Sequence, residues 1–155
     1  MKGNKDDKSN YELLIISLKI AYILCLNIVL RNVMEDLITQ KIIGCAIEVH
    51  KNLGPGLLES SYECCLHYEL KKAGLPVKSQ VKLPIVYKDI KIDAGYRLDI
   101  LIPERLIIEL KAVEKLLPIH TAQLITYLKL TGIQTGLLIN FNQIKLLEGL
   151  KRVSV

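Results

Sequence analysis

The stretch YRLDILIPERLIIELKAV, Tyr96 to Val113, constrains the fold more than any other part of the sequence. Two short apolar runs flank Pro103-Glu104-Arg105, which reads as a turn. Asp99 interrupts the first run, and Glu109 and Lys111 interrupt the second. Ionised side chains in strands this apolar cost free energy unless something compensates them. The compensation expected here is a divalent cation together with a phosphate.

The geometry follows from strand periodicity. Arg97, Asp99 and Leu101 share one face of the first strand, and Glu109 and Lys111 share one face of the second. If Pro103, Glu104 and Arg105 form a three-residue hairpin loop, Ile102 pairs with Leu106. Asp99 then falls opposite Glu109, and Arg97 opposite Lys111. Opposed residues have Cβ atoms about 4.5–5.5 Å apart. Two carboxylates that close repel, and one tends to keep its proton. A bound cation reverses this preference by making both of them ligands. A two-residue loop would instead put the carboxylates on opposite faces. The competing explanation is an edge-strand ion pair that discourages aggregation, since an E-x-K pattern alone is common.

The 155 residues suffice for one domain with a real core, and the formal net charge is +5. Residues 1–33 carry a net +2 and the remainder a net +3, so polyanion binding would require a local basic patch. Lys78, Lys82, Lys88 and Lys91 are candidates for phosphate contacts, and a solvated strand face accounts for them equally well. The four cysteines, Cys25, Cys45, Cys64 and Cys65, form no C-x-x-C pair and have no histidines at zinc-ligand spacing. Free, mostly buried thiols in a reducing, cytoplasmic setting are expected.

Residues 1–33 form an atypical extension, and 34–155 the expected domain. Leu13 to Leu30 is an 18-residue apolar run broken by Lys19 and Asn27. That length is borderline for a membrane span, and a central lysine costs roughly 2.5–3.5 kcal/mol on insertion scales. The extension reads as an extra helix, a membrane anchor or an artefact of an upstream start. The last is preferred because a clean amphipathic pattern begins at Met34.

Glu35 to Asn52 reads as a helix, with Leu37, Ile38, Ile42, Ala46 and Val49 at helical spacing, stopped by Gly54-Pro55-Gly56. A second helix spans about Leu57 to Ala73, ended by Gly74. Val77 to Val86 reads as a strand region, Tyr87-Lys88-Asp89 as a turn, and Ile90 to Ala94 as a short strand. After the hairpin, Pro118 begins a third helix, from about Ile119 to Thr131, closed by Gly132. Gln134 to Phe141 reads as a buried strand, and Leu150 to Val155 as a last one. Two helices, three strands, a helix and one or two strands indicate an α/β domain with a mixed sheet.

Two helices offer further polar groups. Glu59, Tyr62 and Glu63 lie three and four apart on helix two, hence on one face, with His67 beyond them. From spacing alone, a solvated acidic face at a helix N-terminus explains them better than a site does. Gln123 and Tyr127 align on helix three near His120, facing either a site or water. His50, at the end of helix one, is a second polar contributor or a plain helix-end residue. No P-loop, Ser-His-Asp set or Gly-x-Ser-x-Gly elbow is present.

The stretch IIGCAIEVHKNLGPGLLESSY resembles the GxxExxY protein family, whose name-giving motif stands here as Gly56, Glu59 and Tyr62. The resemblance continues through IVYKDIKIDAGYRLDILI, IIELKAV, HTAQLITYLKLTG and GLLINF, and covers roughly Met34 to Val155. That family is placed in the PD-(D/E)XK nuclease superfamily. The resemblance implies a restriction-endonuclease-like core, a central mixed sheet flanked by helices. It implies Asp99, Glu109 and Lys111 as motif residues, with Glu59 the acidic helix residue. Gln123 and Tyr127 look like the Q-x-x-x-Y motif of RecB-type and Cas4-type nucleases. The implied activity is hydrolysis of DNA or RNA phosphodiester bonds with Mg²⁺ or Mn²⁺ held by Asp99, Glu109 and Glu59. Lys111 would position the water or stabilise the transition state, and Gln123 and Tyr127 would orient Lys111, the metal shell or the nucleic-acid backbone. A non-catalytic nucleic-acid-binding module on the same fold is the alternative. A membrane contact through residues 13–30 is a lesser one.

Overall fold

The computed structural model describes residues 5–93 and 95–155, so the end of the expected strand at Ala94 lies outside the described residues. The chain divides into two compact units, Met1–Thr39 and Gln40–Val155. A single helix, α1 (Lys5–Leu53), runs through both, where the sequence pattern marked a helix only from Glu35. In the first unit its apolar side chains from Leu13 to Met34 are exposed on every side of the helix. Within Glu12–Leu53 lies a stretch long and apolar enough to cross a membrane by length and composition. Arg31 and Glu35 pair one turn apart at 3.5 Å. Leu37, expected in the apolar stripe, is exposed, whereas Ile42, Ala46 and Val49 are buried.

The second unit is built on a five-stranded sheet in the order β1-β4-β5-β6-β7. Its strands are β1 (Lys78–Lys82), β4 (Arg97–Ile102), β5 (Leu106–Lys111), β6 (Thr135–Asn140) and β7 (Leu150–Ser154). Only β5 and β6 run parallel, and the other neighbours are antiparallel. The crossover between β5 and β6 is α3 (Pro118–Thr131), as a parallel pair requires a long connection. Pro118 opens α3 and Gly132, at φ 72°, closes it in the left-handed conformation.

Between α2 (Glu59–Lys72) and α3 the chain makes five strands, not three. Pro84 ends the first, because it has no amide proton for a ladder. Its predecessor Leu83 turns in to donate to the Tyr96 carbonyl at 2.8 Å. β2 (Ile85–Tyr87) and β3 (Ile90–Ile92) then form a separate two-stranded hairpin.

Helices cover both sides of the sheet. Ile107 and Leu138 pack with Leu124, Tyr127 and Leu128 of α3 in one buried cluster. Alternation therefore puts Glu109 and Lys111 on the face that α3 covers. Phe141, three residues beyond Leu138, points the other way and stacks on Tyr62 of α2, centroids 4.5 Å apart and planes 10° from parallel. All six residues of β6 are buried, as expected of a central strand with both faces covered. The cysteines are free, but Cys25 and Cys64 are exposed and Cys45 and Cys65 only half-buried. The expectation of mostly buried thiols fails because Cys64 sits on the solvent side of α2.

Candidate active site

The hairpin at the centre of the sheet has the three-residue turn. Ile102 pairs with Leu106, Leu101 with Ile107 and Ile100 with Ile108. Glu104 carries the turn at φ 61°. The ladder ends there, one pair short of Asp99 and Glu109. In its place the Leu110 amide donates to Asp99 Oδ2 at 2.8 Å, so a carboxylate stands where a backbone acceptor would be. Arg97 does not meet Lys111. It is exposed and pairs across β1 with Lys82.

Glu109 is almost wholly buried, at 2 % exposure. Its Oε1 accepts from Lys111 Nζ at 2.5 Å, and Lys111 also donates to the Leu110 carbonyl at 2.9 Å. Its Oε2 is buried with no hydrogen-bond partner. Burial, followed by repulsion from Asp99, pushes the Glu109 carboxyl up to about 7 despite the lysine. Burial also raises Asp99, though the Leu110 amide and Lys111 pull against it. For Lys111, burial disfavours the charge, but the Glu109 bond and the surrounding carboxylates outweigh it and hold the ammonium above its ordinary range.

Helix α2 supplies two more carboxylates. Glu59, in the first turn, is half-buried. Its carboxyl is raised by burial, lowered by Lys111, raised again by Asp99 and lowered by the Ala112 backbone just past β5. Glu63, one turn on, accepts from Gln80 Nε2 at 2.7 Å and is raised by burial and by Asp99 and Glu59. Tyr62, by contrast, is fully buried. Its hydroxyl donates to the Gly54 carbonyl at 2.7 Å and accepts from the Leu57 amide at 3.1 Å. It therefore fastens the Gly54-Pro55-Gly56 loop, where Gly56 needs φ 101°, and so sets where α2 and Glu59 begin.

Helix α3 adds a polar pair over the face of the sheet that carries Glu109 and Lys111. Gln123 Nε2 donates to the Tyr127 hydroxyl at 2.8 Å. Burial raises the Tyr127 phenol, the Gln123 bond and Lys111 pull it down, and Glu109 and Asp99 raise it. Gln123 and Tyr127 also line a cavity of about 250 Å³ with Ile85, Tyr96 and Ile119.

The histidines do other work. His120 Nδ1 accepts from the Leu117 amide at 3.1 Å and caps α3. His50 Nε2 donates to the Gln143 carbonyl at 2.8 Å, making it a helix-end residue. Lys78, Lys82, Lys88 and Lys91 are all exposed, and Lys88 lies over the Tyr87 ring.

The sequence pattern put Asn140 and Gln80 in strands but did not mark either as a site residue. The fully buried Asn140 donates to the Val113 carbonyl at 2.7 Å and accepts from the Val113 amide at 3.0 Å. With Phe141 donating to the Lys111 carbonyl at 2.8 Å, it fixes the backbone that carries Lys111 and Ala112. An asparagine at the end of an apolar run was the only available signal.

Asp99, Glu109, Lys111, Glu59, Gln123 and Tyr127 thus come together around the end of β5. The donors Asp99, Glu109 and Glu59 are hard oxygens that repel one another, and Glu109 Oε2 is an orphaned buried acceptor. That chemistry fits a hard divalent cation. The ligand set is not drawn up around an ion: among the described residues no three acidic, histidine or cysteine side chains stand in metal-holding geometry. The Lys111 ammonium takes Glu109 Oε1, and the Leu110 amide takes Asp99 Oδ2.

Comparison with protein-family models matches residues 36–153 to the PD-(D/E)XK nuclease superfamily. The five-stranded mixed sheet flanked by helices is consistent with its restriction-endonuclease-like fold. Comparisons with curated proteins and with solved structures gave no match.

Proposed function

Since the chain belongs to the PD-(D/E)XK nuclease superfamily, we propose that it is a divalent-metal-dependent nuclease acting on DNA or RNA. The observation that carries this reading is Glu109: a buried carboxylate, repelled by Asp99, with one oxygen left without a partner. Carboxylates perturbed by burial and a like charge in this way are concentrated at functional sites.

Asp99 and Glu109, with Glu59 in support, would hold Mg²⁺ or Mn²⁺. When bound, the ion supplies a water of lowered pKa and charge neutralisation at the phosphate. Lys111, held charged by its neighbours, would donate to a non-bridging phosphate oxygen or orient the attacking water. The Leu110 amide fixes Asp99, so one ligand is pre-set. The Tyr127 phenol, kept protonated, would serve as a hydrogen-bond donor to the site, and Gln123 sets its position. Residues 1–33 stand apart in this reading, and the nuclease activity is assigned to 34–155.

The test is cleavage of labelled single- and double-stranded oligonucleotides with Mn²⁺. Glu109→Gln and Lys111→Ala are each expected to abolish it. Cleavage surviving both substitutions indicates a contaminating enzyme. The Lys111–Glu109 bond, standing where a cation would, favours one second reading, a module that binds nucleic acid without cutting it. Metal-independent binding with no cleavage is its signature.

A further inference from the structure

The edge strand β1 carries a feature that a strand does not need. Gln80 sits in its middle at φ 51°, in the left-handed region. Ser79 pairs with Ile100 and Val81 with Leu98, so Gln80 falls opposite Asp99, and no Gln80–Asp99 pair is made. Glycine or asparagine takes up this conformation readily, and glutamine takes it up under strain. Its side chain does what neither of those could do at this range: Nε2 reaches across to Glu63 Oε2 on α2, at 2.7 Å.

We propose that Gln80 is a positioning residue of the acidic site, holding Glu63 toward Asp99 and Glu59 as an additional carboxylate for the cation-binding end of β4 and β5. This rests on the nuclease reading above and extends it to a residue pair outside the motif set. Three observations support it. Glu63 lies one turn after Glu59 on the same face of α2. The register sets Gln80 opposite Asp99, so the carboxyl that Gln80 holds is tied to that strand position, and, besides burial, Asp99 and Glu59 both raise it. The donor is also a neutral amide: it orients Glu63 without cancelling its charge, as a lysine would. An exposed hydrogen bond of this kind roughly offsets the backbone strain, so the pair adds little net stability. Strain kept without a stability gain is characteristic of functional positions.

The experiment uses the full-length chain in mild detergent, with Mn²⁺ binding followed by calorimetry and unfolding followed by heat. Gln80→Gly removes both the amide and the strain. It is expected to leave the thermal midpoint no lower while weakening Mn²⁺ affinity about tenfold, the usual scale for losing an outer-shell partner. Glu63→Gln should weaken it at least as much, and the double variant no more than the worse single one. Wild-type Mn²⁺ affinity in Gln80→Gly, or additive losses in the double variant, would overturn the proposal. If wild type itself takes up no Mn²⁺, the nuclease reading fails first and this inference falls with it, so the two failures are separable.

Discussion

Asp99 Oδ2 accepts the Leu110 amide proton at 2.8 Å, at the point where the β4–β5 ladder stops. The carboxylate thus stands in for a missing backbone carbonyl while staying beside Glu109. Asp99→Ala would leave the Leu110 amide buried and unpaired, which costs about 1–3 kcal/mol. Asp99→Asn keeps an acceptor there and should lie within about 1 kcal/mol of wild type. Urea denaturation of the two variants checks this difference.

The pH dependence of stability should run opposite to that of an ordinary paired carboxylate. Glu109 is raised from 4.5 to about 7, so between those values the folded state holds a proton that the unfolded state has released. Stability therefore falls as pH rises through that window. The full shift corresponds to roughly 3 kcal/mol as an upper bound. Asp99, Glu59 and Glu63 are raised too and add in the same direction. Glu109→Gln should raise the metal-free melting temperature at pH 8 and flatten its rise toward pH 5. A melting series across that range, in chelator, checks it.

The Tyr62 hydroxyl makes two hydrogen bonds to the glycine loop from a fully buried position. Tyr62→Phe keeps the stack on Phe141 but leaves the Leu57 amide without that acceptor and the Gly54 carbonyl without that donor. A loss of about 1–3 kcal/mol is expected, together with weaker Mn²⁺ binding, because the loop sets the start of α2 and hence Glu59. Equal metal affinity in a destabilised Tyr62→Phe would separate the loop from the site.

Asn140→Ala should be costly for a similar reason. It removes both side-chain bonds to Val113 from a buried position. An expected loss of about 2–4 kcal/mol reflects the unpaired backbone groups left behind. Hydrogen exchange at Ala112 and Val113 should rise more than exchange in β7.

Much of this arrangement was legible in the residues. The turn at Pro103–Arg105 set the hairpin register, because a one-residue change would have inverted the faces of every following side chain. Pro118 and Gly132 marked the two ends of α3, the start to within a residue. What escaped was depth and dihedral angle. Spacing put Tyr62 on the face of Glu59 and Glu63, but could not show that it turns inward onto Phe141 while Glu63 bonds to Gln80. Gln80 has no sequence mark of its left-handed backbone, since glutamine rarely adopts it. The register implied an Asp99–Glu109 pair, but the Leu110 amide was a stronger claimant for the carboxylate than a ladder position.

The central claim is that Asp99 and Glu109 form a site for a divalent cation. Calorimetric titration of Mn²⁺ into wild type and into Asp99→Asn, both checked as folded, tests it most directly. Wild type is expected to bind saturably, and Asp99→Asn to lose binding or weaken it severely. Equal heats in the two proteins, or no binding by folded wild type, would contradict it.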